Sequence, residues 1–416
     1  MKSIFSKTNI LLPNENVSPG LWSVIACDQF TSQNDYWERV KQTVGTMPST
    51  LNMIIPEVTL GRIDESDEIN KICSCMNSYI NQGLFRDVKD SYIYVERTLP
   101  DGMVRKGLVG IVDLEEYDFT GTGNAAILAS EGTVLDRLPP RIRVRESAAL
   151  ELPHIIALIA DAEKTVIEPV SSISENLPLL YDFKLMENGG YLKGYKISGE
   201  DAKNIENALN TIYENSRDKN PHLCRAPRCF MIVGDGNHSL AAAKTYWNNI
   251  KSELSINELS DHPARYALLE VNNLYDPAVR FEAIHRVVFN IDADNFINAL
   301  LKEIPAGNDF VLKLLTFNDQ KDQRVSASSA SDIIAKVQAF LDDYVINTGG
   351  SIDYIHNENA VKELIKENNC VGILLPVLSK PEFLDTVAAG RIFPRKSFSI
   401  GHAEEKRYYM ECRKIK

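Results

Sequence analysis

The chain has 416 residues, 57 acidic against 45 basic side chains and a formal net charge of −12. A composition of 44% hydrophobic and 25% charged residues argues against disorder and, at roughly 100–200 residues per domain, for two to three globular domains. The acidity argues against broad nucleic-acid binding and against an anionic membrane surface, both of which need clustered Lys and Arg.

Taken in chain order, the start reads as mixed. Lys7, Asn9, Asn14, Glu15 and Asn16 interrupt the apolar residues after Met1, and no later run reaches the ~18 apolar residues of a membrane span. The expectation is a cytoplasmic protein with reduced thiols. Of the seven cysteines, the close pairs Cys73/Cys75 and Cys224/Cys229 lack C-x-x-C spacing and read as ordinary thiols rather than zinc ligands. A short apolar segment over 21–27 is broken by Asp28, and a helix follows over 35–44. Trp22, Tyr36 and Trp37 read as core. Helical spacing over 69–82 ends at Gly83, a residue suited to the C′ position. Strands are expected over 91–99, 107–114, 124–130 and 154–160. Residues 181–186 and 191–197 flank Asn188-Gly189-Gly190, a hairpin signal because such turns need positive φ.

A helix over 198–216 with acidic residues in its first turn precedes a strand over 228–233 and a helix over 239–254. Strands then fall over 265–271, 283–290 and 371–376, and helices over 292–304, 331–344, 360–367 and 380–389. The polar stretches 251–263 and 318–331 are the candidate boundaries, which divides the chain into 1–255 and 256–416. Strands and helices alternate irregularly, so the fold class is a mixed α/β or α+β one rather than a regular doubly wound sheet.

The sharpest local feature joins the strand ending in Val233 to an Ala-rich helix through Gly234, Asp235, Gly236, Asn237, His238 and Ser239. The two glycines permit a tight turn and close approach of a ligand to the backbone. The helix start offers amides and the positive end of a dipole to an anion. A carboxylate, an amide, an imidazole and a hydroxyl crowd that mouth. No Walker A loop is present, and Gly121-Thr122-Gly123-Asn124-Ala125-Ala126, although it fits G-x-G-x-x-A, leads into a strand and reads as a turn. Neither a Ser-His-Asp order nor a G-x-S-x-G elbow occurs.

The segment around Asp235–Lys244 resembles the loop and helix of the bacterial family catalogued as domain of unknown function 1015. The likeness extends over nearly the whole chain through residues 107–119, Glu131-Gly132-Thr133 with Asp136-Arg137-Leu138, Ile284-His285-Arg286-Val287-Val288, and Gly390-Arg391-Ile392-Phe393-Pro394-Arg395-Lys396-Ser397. The same loop is similar to the Gly-x-His-Arg motif of the ParB/sulfiredoxin superfamily, which includes free-serine kinases. This resemblance implies a ParB/sulfiredoxin-like nucleotide-binding core followed by a C-terminal α/β part. It also implies a loop that holds the phosphates of ATP or ADP with Mg²⁺. The sequence departs from the motif at Asn237, where the family has His, and at Ser239, where it has Arg. Losing that Arg removes a bidentate phosphate donor.

Other cations stand as replacements: Arg137, Arg141, Arg143 and Arg145, then His285 with Arg286, then Lys396. Asp28 lies where the family often carries a Pro-Tyr-Asp turn, and it is either the activating carboxylate or the cap of a turn. The implied activity is transfer of a phosphoryl group from a nucleotide to a small hydroxyl metabolite. Gly234, Gly236, Asn237, His238 and Ser239 would bind phosphate, Asp28 or Asp235 would take the proton, and Arg137 with Lys396 would neutralise charge. Two other readings stay open, a nucleotide-responsive regulatory module and a hydrolase or lyase of an anionic metabolite. The expected partner is a small phosphate-bearing ligand, not a nucleic acid or a membrane.

Overall fold

The computed structural model describes residues 4–31, 33–59, 65–121, 125–135, 138–218, 229–366 and 369–416. The chain divides into two compact units, one of residues 1–279, 388–390 and 403–416, the other of 280–387 and 391–402. The break falls beyond the expected 255 because the strand Tyr266–Asn273 sits inside the first unit's sheet, paired on both sides.

The first unit contains the strands β1 (Phe5–Ser6), β2 (Thr8–Pro13), β3 (Phe85–Thr98), β4 (Val104–Asp113), β5 (Tyr117–Asp118), β6 (Ile127–Ala129), β7 (Leu150–Glu151), β8 (Ile156–Ile159), β9 (Leu179–Lys184), β10 (Tyr191–Ile197), β11 (Met231–Asp235) and β12 (Tyr266–Asn273). Its main sheet runs β5-β6-β11-β8-β12-β4-β3-β10-β9, with β1 added on β4 and β2 on β3. The pairs β5–β6, β6–β11 and β8–β12 are parallel and the other neighbours antiparallel, which makes the sheet mixed.

Period-two alternation explains why its central strands read as continuous apolar runs. Ile93 and Val95 enter one core with Trp22, Trp37 and Leu268, while Tyr92 and Tyr94 enter the opposite core with Leu240, Trp247 and Leu269. Both faces are therefore covered. Each such large side chain, fully buried, contributes about 1.5–3 kcal/mol. The β9–β10 hairpin turns through Glu187 and Asn188 at φ 49° and 57° and Gly190 at φ 83°.

The helices are α1 (Pro19–Trp22), α2 (Asn34–Val44), α3 (Glu65–Asn81), α4 (Leu138–Ser147), α5 (Ile167–Ile173), α6 (Gly199–Asp218), α7 (Asn237–Ile250) and α8 (Ile256–Asp261). Helix α4 was not foreseen in the arginine-rich run. Pro139 and Pro140 suit its first turn, where no intrahelical amide donor is needed. The expected boundary at 251–263 instead holds α8, closed by a Ser255/Glu258 capping box. No helix of the described residues is long and apolar enough to cross a membrane.

In the second unit, β13 (Phe281–Ala283), β14 (His285–Phe289), β15 (Ala306–Leu315), β16 (Gln320–Val325), β17 (Ser351–Ile355), β18 (Cys370–Leu374) and β19 (Phe398–Ile400) combine with α9 (Ala293–Glu303), α10 (Ala330–Thr348), α11 (Glu358–Leu364) and α12 (Lys380–Ala388). The sheet β16-β15-β18-β14-β17 is antiparallel, and β13 pairs separately with β19. The expected strand over 283–290 is thus two strands split at Ile284. The polar stretch expected as a break is the edge strand β16, whose one buried side chain is Val325. Asp292 and Ser329 cap α9 and α10 by accepting from Asn295 and Asp332 amides.

The last segment belongs to the first unit. Leu11 and Cys412 exchange backbone hydrogen bonds, Tyr409 N–H donates to the Val24 carbonyl, and β20 (Arg413–Lys414) pairs with β7. Five charged residues of this tail, Glu405, Lys406, Arg407, Glu411 and Arg413, are all buried.

Candidate functional site

The site is built at the junction of β11 and α7. Gly236 occupies the N-cap of α7 at φ 82°, ψ 23°, a left-handed conformation that glycine adopts without strain. Glycine has no side chain with which to cap the first helical amides. Asn237 does not do so either, because it is buried and turned away. Its Nδ2 donates to Ser130 Oγ at 3.1 Å and its Oδ1 accepts from the Ser130 amide at 3.3 Å. Ser130 Oγ in turn donates to the Val233 carbonyl at 2.5 Å. Asn237 therefore ties the start of α7 to the end of β6, a positioning role.

Asp235 turns one oxygen to the Gly236 amide at 3.0 Å and the other to Lys406 Nζ at 3.2 Å. The lysine head is nearly buried while the carboxylate is about a third exposed, so a cation is held at the loop by the C-terminal tail. The Val134 amide donates to His238 Nε2 at 3.2 Å, which places the imidazole proton on Nδ1. Ser239 Oγ lies 3.2 Å from His154 Nε2, and His154 Nδ1 lies 2.9 Å from the Tyr409 hydroxyl. Burial pushes the His154 pKa down to about 4, against the pull of Asp235 and with the help of Arg141. A neutral imidazole thus stands between two hydroxyls.

This chain of groups borders a cavity of about 180 Å³. Met53, Ile54, Met76 and Ile415 supply part of its apolar wall, and Ser239, Ala242 and Ala243 present one face of α7 to it. Arg141 and Arg145 line it from α4, but Arg145 is committed to Glu151 at 2.7 Å. Glu151 also accepts from Arg413 at 2.5 Å, and this twofold pairing holds its pKa low despite burial.

Of the residues singled out in the sequence, Gly234, Asp235, Gly236, Asn237, His238 and Ser239 lie together on this loop. Asp28 opens a short 3-10 turn, Asp28–Phe30, and the position of its side chain lies outside what is described. Arg137 lies outside the described residues. Arg143 is exposed on α4.

Arg286 is a correction. It is fully buried in the second unit and donates to Gln338 Oε1 at 2.9 Å, the Ile284 carbonyl at 2.7 Å and the Lys396 carbonyl at 2.9 Å. Its guanidinium also lies over the Tyr354 ring at 4.6 Å. With its donors turned to these groups and no exposed surface, it pins the loop carrying Lys396 and has nothing to offer a phosphate. His285 accepts the Leu375 amide at Nδ1 over 3.2 Å, and burial lowers its pKa to about 4.

Sequence reasoning missed His154, Lys406 and Tyr409. No local pattern marks them, since Tyr409 meets His154 across 255 positions.

The two depressed histidines give a pH prediction. Each has a folded pKa near 4 against an ordinary value of 6.5, so between these limits the unfolded chain binds more protons. Stability is full above about pH 6.5 and falls as the pH drops toward 4, by up to about 1.4 kcal/mol per pH unit per histidine. Urea midpoints measured from pH 7.5 to 4.5 should fall steeply for the natural chain and less steeply for His154→Gln.

The architecture is a mixed α/β protein with a glycine-hinged strand–helix loop. The family described as "Protein of unknown function (DUF1015)" matches residues 6–367, and the chain belongs to that family. No curated protein matches it. Among solved structures it is similar to a free serine kinase in complex with AMP, at 10% identity and a TM-score of 0.39, over 73% of this chain and 91% of that one. A substituted form of free serine kinase with ADP gives a TM-score of 0.40 at the same identity and coverage. A conserved hypothetical protein from Pyrococcus furiosus gives 0.35 at 11% identity, over 72% of this chain and 90% of that one.

Proposed function

We propose that the loop Gly234–Ser239 binds a small phosphate-bearing ligand, ATP or ADP with Mg²⁺, and that the protein transfers a phosphoryl group to a hydroxyl metabolite. The observation that carries this reading is one loop combining an α-helix start without a side-chain cap, a lysine and a neutral imidazole. The amides and dipole of α7 favour an anion. Lys406 supplies the cation that Ser239, in place of the family arginine, does not. His238 stands on the same turn, with its Nε2 accepting from the Val134 amide. His154, neutral at pH 7, is the base within reach of a hydroxyl at Ser239.

Among the described residues no group of three or more His, Cys, Asp or Glu could hold a metal. Magnesium bound to a nucleotide needs only one or two carboxylates besides the phosphate oxygens, and Asp235 fits that need. When bound it would neutralise phosphate charge.

Mg-ATP or Mg-ADP at about a hundredfold excess over Kd should raise the melting temperature by roughly 5 °C or more. Asp235→Ala should remove that shift. Absence of any shift, together with no turnover of a panel of hydroxy metabolites, would sink the proposal. Binding without turnover would favour a nucleotide-responsive module instead.

A further inference from the structure

We infer that the cavity beside α7 is a binding site for a one-ring or branched alcohol or phenol, and that it is not built for a free amino acid. Size sets the first limit. A cavity of about 180 Å³ is slightly larger than the ~150 Å³ apolar cavity that accepts benzene. One ring or a branched chain with a single polar group fills it.

The lining sets the second limit. Its wall is mostly aliphatic, and its uncharged polar end consists of Ser239, His154 and Tyr409, joined by hydrogen bonds of 3.2 and 2.9 Å. A hydroxyl both donates and accepts, so it can join such a chain at Ser239. Charge sets the third. A zwitterion needs a carboxylate for its ammonium group, and the carboxylate on the described lining is Glu151. That group already holds Arg145 at 2.7 Å, Arg413 at 2.5 Å and the Leu268 amide at 3.0 Å. An ammonium placed here would lose its water for uncharged acceptors at best, with the lining carboxylate already paired.

On the nucleotide reading proposed above, on which this step rests, the ligand is the phosphoryl acceptor. Its oxygen forms the new bond to the terminal phosphorus as the bond to the bridging oxygen breaks. The shortened nucleotide leaves, and the hydroxyl proton passes to His154 Nε2.

The test is isothermal titration of the full chain at pH 7.5 without nucleotide, using 4-methylphenol and L-serine. The expected result is saturable one-to-one binding of 4-methylphenol, with serine giving no heat. Ile55→Trp, which fills the cavity from a half-buried position, should weaken 4-methylphenol binding at least tenfold. Ser239→Ala, which removes one hydroxyl and leaves the wall intact, should weaken it about fivefold and serves if the first variant does not fold. Preference for serine, or no binding of 4-methylphenol, overturns the inference. The titration contains no nucleotide, so its result is independent of the melting-temperature test of the phosphotransfer reading.

Discussion

Replacing Arg407 by alanine should destabilise the first unit by about 3–5 kcal/mol, the cost of leaving buried charges without their partner. Arg407 donates through Nε to Glu270 at 2.8 Å and through Nη2 to Glu411 at 2.5 Å, and all three side chains are at most 4% exposed. Its Nη1 holds the Pro153 carbonyl at 2.6 Å. Burial works against the guanidinium's charge, but Glu411 and Glu270 outweigh it and hold the pKa above its ordinary value. Removing the arginine strands two carboxylates, one of which also accepts from the Tyr181 hydroxyl at 2.5 Å. Urea unfolding should show a lower midpoint with an unchanged m-value. Arg407→Lys should recover only part of the loss, because an ammonium cannot reproduce the planar fork that reaches three acceptors. A loss under 1 kcal/mol for the alanine variant would mean that water already reaches the cluster. The consequence is also functional, since Arg407 holds the backbone next to His154 and lies two positions before Tyr409.

That cluster shows which parts of the molecule a sequence can display. The hinge at Gly236 and the helix after it were legible because the turn chemistry and the helical period are local. Helices α2, α3, α6 and α9 were legible for the same reason, each carrying an apolar stripe and a recognisable end. The tail was not legible. Glu404 to Arg413 runs a block of four charges into Tyr408 and Tyr409 and then mixes charged and apolar residues, and nothing within ten residues distinguishes a solvated ribbon from one threaded through a core. Its burial depends on partners at Leu11, Val24, Glu151, Asp235 and Glu270, each more than 130 positions away. The edge strand β16 was lost for the opposite reason. It buries Val325 and pairs only with β15, so its pattern is that of a linker. Arg286 illustrates the limit of composition: a lone arginine in an apolar strand reads equally as ligand binder or structural pin. Only the positions of Gln338, Tyr354 and the Lys396 carbonyl decide between them.

Gly236→Val is the substitution expected to separate the loop from the rest of the fold most sharply. At φ 82° a β-branched side chain is strained, and such strain costs on the order of 1–3 kcal/mol. A Cβ there would also stand 2.9 Å from Ile155 Cγ1 and 3.1 Å from Ile155 Cα. The second contact is with backbone, so rotation of a side chain cannot relieve it. Overpacking of this kind adds about 1–3 kcal/mol. Together these terms predict a loss of roughly 2–6 kcal/mol, and the chain can lessen it only by moving Gly236 away from Ile155. That movement would pull Asp235 from Lys406 and Ser239 from His154, since both pairs flank the hinge. The melting temperature should therefore fall by several degrees, and the shift with Mg-ADP should disappear even in the molecules that remain folded. A variant that keeps the full nucleotide shift despite its lower stability would show that the phosphate does not sit on this turn, and would move the search to the cations elsewhere in the first unit.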